Sequence, residues 1–185
     1  MARALIPLAT GFEDIEAVTI IDILRRGGVE VVTASVENTK TLEAAHGIFM
    51  RADALFSDVA KDGYDAIILP GGSKCADAFK ACEALTERLK RQKDEGGLVC
   101  AICASPIALV VAGVLDPETQ VTCYPTCRPG LDREWASAPV VADGIFITGQ
   151  APGSAMLFAL VILERLCGEI VARKVSIGLV TDVLG

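Results

Sequence analysis

The order of segments along this chain predicts a three-layer α/β sandwich with a mostly parallel central sheet. Three observations carry that expectation. Short β-rich apolar runs alternate with longer amphipathic segments. The runs YDAIILP (64–70), apolar from Ala66 onward, and LVCAI (98–102) read as strands covered on both faces. The first three segments read strand, helix, strand, and that order implies a right-handed parallel crossover.

Taken in order, ALIPLA (4–9) is a strand that enters a turn containing Gly11. EDIEAVTIIDILRRGG follows as a helix, with acids in its first turn, Arg25 and Arg26 in its last, and Gly27 and Gly28 stopping it. VEVVTASV (29–36) is the next strand, and the hydrophobics at Gly47 to Met50 suggest another short one. YDAIILP ends at Gly71 and Gly72, and a long polar helix over about 75–95 comes after it. LVCAI leads into the helix SPIALVVAG. VTCYP, VVADG and IFITG then read as strands, a loop rich in Pro and Arg occupies 124–138, and two helices follow from about 152. No repeat, low-complexity tract or charge block marks a linker, so residues 1–185 are read as one domain, large enough to bury a sizeable core.

Composition narrows the function. A net charge of -7, from 24 acidic and 17 basic residues, offers no basic stripe for phosphates, so nucleic acid is not an expected partner. No apolar run reaches the roughly 20 residues needed to span a bilayer, and the LIPLA segment is cut short by Gly11, Glu13 and Asp14. Seven cysteines, an odd number in a domain of this size, fit reduced thiols in the cytoplasm better than a secreted disulfide framework.

Open parallel sheets bind ligands beyond the carboxyl ends of their strands. Three loops bring candidates there: Gly11 to Glu16, Gly71–Gly72, and Cys103–Ala104. The glycine pair lets backbone N–H groups approach a ligand and hold an oxyanion. Cys103 lies where strand gives way to helix, and a sharp turn there is a nucleophile elbow. Such a turn sets the sulfur on the positive end of the following helix, which favours the thiolate. Cys75, Cys82, Cys100, Cys123, Cys127 and Cys167 read as core packing. Zinc on Cys100, Cys103, Cys123 and Cys127 is disfavoured, because Val99, Ala101 and Ile102 continue a strand that turns Cys100 and Cys103 to opposite faces. A thioredoxin-like dithiol is disfavoured as well. No metal or other cofactor is expected. The pattern alone does not separate Glu13, Asp14 and Glu16, each of which also serves as a first-turn partner of the helix dipole.

Four motifs, ALIPLATGFEDIEAV, DAIILPGG, CAICASP and QAPGSA, resemble the ThiJ/PfpI superfamily, in its DJ-1/ThiJ, protein-deglycase-like branch, and they occur in family order from about residue 3 to 181. The resemblance implies a flavodoxin-like homodimer in which Cys103 is the nucleophile and Glu16 lies beside its sulfur. It implies an oxyanion pocket formed by the amides of Gly72 and Ala104, next to Gly71. A carboxyl held against a thiolate has its pKa raised, so Glu16 would stay protonated and donate to sulfur. The same donors would hold a sulfinate.

Departures from the family pattern are informative. Ala104 stands where protease-like and amidotransferase-like relatives have a histidine base, which disfavours Cys–His peptide hydrolysis. Tyr124, within VTCYP, stands where relatives close to the human member of the family carry a histidine, and His46 and Gln150 stand where relatives carry arginine. Asp22 and Arg26 are kept, at the i, i+4 spacing of a helix ion pair. Tyr124, His46 and Arg26 remain possible pocket residues. The activity implied is that of a cofactor-independent glyoxalase or deglycase acting on methylglyoxal-type α-oxoaldehydes or their adducts. The alternative is a redox-sensing stress protein or chaperone whose Cys103 is oxidised to sulfinate. The old thiazole-synthesis label of the family finds no phosphate loop here.

Overall fold

Strand β1 (Arg3–Leu8) forms because five successive apolar or small residues are buried from both faces, and its neighbours on each side run parallel to it. The computed structural model describes residues 1–181. After β1 come α1 (Asp14–Arg26), β2 (Glu30–Ser35), the short antiparallel pair β3 (Thr41–Glu43) and β4 (Phe49–Arg51), β5 (Ala54–Leu55), α2 (Phe56–Val59) and β6 (Ala66–Leu69). Then follow α3 (Ser73–Ala81), α4 (Glu83–Asp94), β7 (Leu98–Ile102), α5 (Pro106–Ala112), β8 (Val140–Asp143), β9 (Phe146–Gly149), α6 (Ala155–Cys167) and α7 (Glu169–Gly178). The main sheet has the order β5-β2-β1-β6-β7-β9-β8, parallel except for the β8–β9 pair.

Helices cover both faces of this sheet, as the alternating pattern predicted. The core runs from Leu5, Ile6 and Leu8 through Ile67, Ile68, Val99 and Ile102 to Phe158 and Leu163, all fully buried. Strand order reverses at β1 and β6: β2 lies on one side of β1 and β6 on the other. A crevice therefore opens beyond Leu8 and Leu69, with Ile102 next in line. Among the described residues no helix is long and apolar enough to cross a membrane.

Two expectations about elements are corrected. The helix expected over 75–95 is two helices, with Cys82 extended between them (φ -89°, ψ 94°). The reason is phase. Cys75, Ala76 and Phe79 face the core on α3, and an unbroken helix would next bury positions near Cys82 and Thr86, whereas α4 buries Leu85, Leu89 and Gln92. The break resets the register. VTCYP forms no strand of the sheet: Val121 makes an isolated bridge to Trp135, and Thr122 N–H donates to Thr148 Oγ1 at 2.9 Å. β9 is already flanked by β7 and β8, so no edge is left for this segment.

Candidate active site

Cys103 follows the last residue of β7, and its backbone sits in the left-handed region at φ 64°. For a residue with a Cβ that conformation costs on the order of 1 kcal/mol, so surrounding bonds must impose it. They do so from both sides. Cys103 N–H donates to Gly149 O at 3.0 Å, and its carbonyl accepts from Tyr124 N–H at 2.8 Å. Ser105 clamps the turn, its amide donating to Ile102 O at 3.1 Å and its hydroxyl to Pro70 O at 2.6 Å. Pro106 then opens α5. The result is the expected elbow, with Cys103 only 9% exposed.

The three acids that the sequence left together have separate roles in the structure. Glu13 is the N-cap of α1, its Oε2 accepting from Glu16 N–H at 2.9 Å. Asp14 turns outward to His46. Glu16 is fully buried and points under the β6–α3 loop, where its Oε2 accepts from Gly71 N–H at 2.7 Å and the carboxyl meets the Cys103 thiol. Its Oε1 is buried and has no hydrogen-bond partner among the described residues. Burial raises Glu16 to about 7; Gly71 N–H and Cys103 pull against that rise, and the Glu13 charge adds to it.

The glycines make this contact possible. A Cβ on Gly71 would stand 2.5 Å from Glu16 Oε2 and 2.6 Å from Cys103 Cβ. Gly72 has φ 97°, and a Cβ there would collide with Gly11 O and crowd Glu13 N. One assignment changes as a result. Of the glycine pair expected to offer amides to an oxyanion, Gly71 commits its N–H to Glu16; the amides that act on Cys103 sulfur are those of Gly72 and Ala104.

The expectation that a helix start alone leaves this sulfur largely ionised is also corrected. Burial, and then the charge of Glu16, push the Cys103 thiol above its ordinary range, while the Gly72 and Ala104 amides pull it down. α5 is only seven residues long, a weak dipole against that burial. Thiol and carboxyl form one coupled pair that loses a first proton far more readily than a second. The single negative charge left behind finds two amide donors at sulfur and one at the carboxylate. Cys75 and Cys100 are fully buried, and burial pushes their thiols up as it does that of Cys103, but no Gly72 or Ala104 amide acts on either sulfur, in keeping with inert packing.

The remaining candidates lie farther out. Tyr124 is partly exposed and touches Cys103 through its backbone. Gln150 N–H donates to Pro139 O at 2.9 Å. His46, with its side chain 71% exposed, has Nδ1 3.0 Å from Asp14 Oδ2, and its own N–H donates to the same oxygen at 3.0 Å. Burial resists ionisation of Asp14, but these two bonds outweigh it and hold the carboxyl below its ordinary range. Arg26 does not join the pocket of its own chain: it pairs with Asp22 Oδ2 at 2.6 Å, ten residues and about 15 Å along α1 from Glu16. Sequence reasoning missed Ser105 and the capping role of Glu13; a serine directly before a proline-initiated helix was the available signal for the first.

Comparison with known proteins places this geometry. The DJ-1/PfpI family model matches residues 2–165. Protein DJ-1 homolog B of Arabidopsis thaliana is 40% identical over 177 residues, covering 94% of this chain and 40% of that protein, so the chain spans less than half the length of that relative. Glutathione-independent glyoxalase DJR-1.2 of Caenorhabditis elegans is 35% identical over 159 residues, covering 84% of this chain and 83% of that protein. The structure of oxidized Toxoplasma gondii DJ-1 superposes with a TM-score of 0.94 at 37% identity, covering 98% of this chain and all of that one. An elbow cysteine, a buried carboxyl and a glycine pair, on a flavodoxin-like sheet, thus occur in a chain that belongs to the DJ-1/PfpI family.

Proposed function

We propose that the protein is a cysteine-dependent, cofactor-independent glyoxalase or deglycase acting on methylglyoxal-type α-oxoaldehydes or their early adducts with amines and thiols. The observation that carries this reading is the buried Glu16 carboxyl against Cys103, with the Gly72 and Ala104 amides on the sulfur side. Cys103 sulfur adds to the aldehyde carbon and gives a hemithioacetal, whose developing oxyanion the two amides stabilise. Glu16 donates and then recovers the proton as hydrogen moves from the former aldehyde carbon to its neighbour. Water cleaves the resulting thioester to lactate and frees the thiol, so the net change is addition of one water to methylglyoxal. The name of the Caenorhabditis elegans relative supports the reaction class.

A second reading uses the same pocket. Oxidation of Cys103 to sulfinate would change stability or partner binding rather than turnover, and the oxidized state named for the Toxoplasma gondii relative supports it.

The proposed partners are a small carbonyl compound and a second copy of the chain, with no nucleic acid. Ile15 (57% exposed) and Val18 on α1, with Ile48 and Phe49 (67% exposed) at the β3–β4 hairpin, are exposed apolar side chains that a second copy would cover. All seven cysteines are free thiols, which supports a reducing cytoplasmic setting.

Lactate formation from methylglyoxal is the test. Wild type should turn over, Cys103→Ala should be inactive, and Glu16→Gln should lose roughly a hundredfold or more in kcat while folding normally. Equal rates in all three would refute the enzyme reading. A single mass gain of two oxygens at Cys103 after graded peroxide, without lactate, would favour the sensor.

A further inference from the structure

The first turn of α1 carries a second polar group that the proposed chemistry leaves unused. Glu13 and Asp14 are each more than nine-tenths buried, and the turn between β3 and β4 lays His46 across them. His46 Nδ1 lies 3.0 Å from Asp14 Oδ2 and 3.8 Å from Glu13 Oε1. One ligating atom from each of the three residues falls within 4.8 Å of the others. Two ligands bonded to one ion at ~2.1 Å stand about 3.0 Å apart at an angle near 90° and about 3.8 Å apart near 130°, so both separations suit a shared divalent ion.

A separate observation points to a missing ligand. Asp14 Oδ1 is buried and has no hydrogen-bond partner among the described residues, while Oδ2 is engaged by His46. A carboxylate oxygen kept from water without a partner is destabilising by about 1–3 kcal/mol, a cost that a cation bound to the Asp14 carboxylate would lower. The group is also held in place from outside. Ala45 N–H donates to Phe12 O at 2.8 Å and Gly47 N–H to Ala44 O at 3.2 Å, which fixes the His46 turn. Glu13 Oε2 is taken by Glu16 N–H, which leaves Oε1 to face the imidazole.

We propose that Glu13, Asp14 and His46 form a binding site for one divalent first-row transition-metal ion. Two carboxylate oxygens and one imidazole nitrogen make a borderline-hard donor set, distinct from the thiol chemistry at Cys103. The exposed His46 ring leaves room for water at the remaining positions. Any proton on Nδ1 departs as the ion enters. The competing occupant of the gap is that proton itself, with His46 as a simple ion-pair partner of the two acids.

Manganese(II) separates the two, because thiols ligate it poorly and its free aqua ion has a strong paramagnetic resonance signal. Titrated into the full chain, it should saturate at one ion per chain, in wild type and in Cys103→Ser alike. His46→Ala and Asp14→Asn should each weaken binding by roughly tenfold or more. The exposed His46 ring makes the first variant safe for folding, and thermal melting checks both. Cobalt(II) should bind with the same stoichiometry and without a sulfur-to-cobalt charge-transfer band. No saturable uptake at millimolar manganese, uptake by His46→Ala within about twofold of wild type, or a thiolate band with cobalt would each overturn the assignment.

Discussion

Glu16 takes part in opposite-pulling interactions that can be separated by pH. Its carboxyl is raised to about 7 in the folded chain by burial, whereas a solvated glutamate titrates near 4.5. The folded state therefore binds more protons than the unfolded one between those limits. The sign follows: the contribution of Glu16 to stability is fully present below about 4.5 and is lost as pH rises through about 7. Denaturant melts should show stability declining across that window by up to about 3 kcal/mol, and Glu16→Gln should flatten the decline. A slope unchanged by the substitution would mean that the carboxyl is not held protonated. Activity should move the opposite way over the same range, rising as the Cys103–Glu16 pair gives up its first proton and the nucleophile forms.

Each loop at the crevice is fixed by elements distant in sequence. The β6–α3 loop is pinned between α1 and the elbow: Gly71 N–H bonds Glu16, and Gly71 O accepts from Glu13 N–H at 3.0 Å. Gly71→Ala should thus cut methylglyoxal turnover by roughly a hundredfold or more, because the added methyl displaces Glu16 or Cys103. Near-wild-type turnover would show that their spacing is not critical. The sequence announced the βαβ units, the buried strands and the elbow, since each is written in local periodicity and punctuation. It did not announce the break at Cys82, which depends on which helix face the sheet accepts, or the failure of VTCYP to form a strand, which depends on an edge being occupied. Nor could it sort three neighbouring acids. Glu16 finds Gly71 across 55 positions and Asp14 finds His46 across 32, and such pairings come from topology, not from spacing.

For the molecule as a whole, Ile15 and Val18 on α1 and Ile48 and Phe49 at the β3–β4 hairpin are exposed apolar side chains that a second copy would cover. Light scattering should find a dimer at micromolar concentration, and Phe49→Arg, which places a charge on an exposed apolar residue, should shift it to monomer while leaving the melting cooperative. A wild type that remains monomeric would remove the need for a second copy. The burial of Cys103 also has a consequence for reagents. With Cys103 only 9% exposed and Gly71 close against its Cβ, a reagent's bulk should count before its reactivity. Peroxide and iodoacetamide should label it readily and dye-bearing maleimides slowly, an order opposite to that expected at the more open Cys82 or Cys167, so the fold acts as a sieve that admits small electrophiles and turns large ones away.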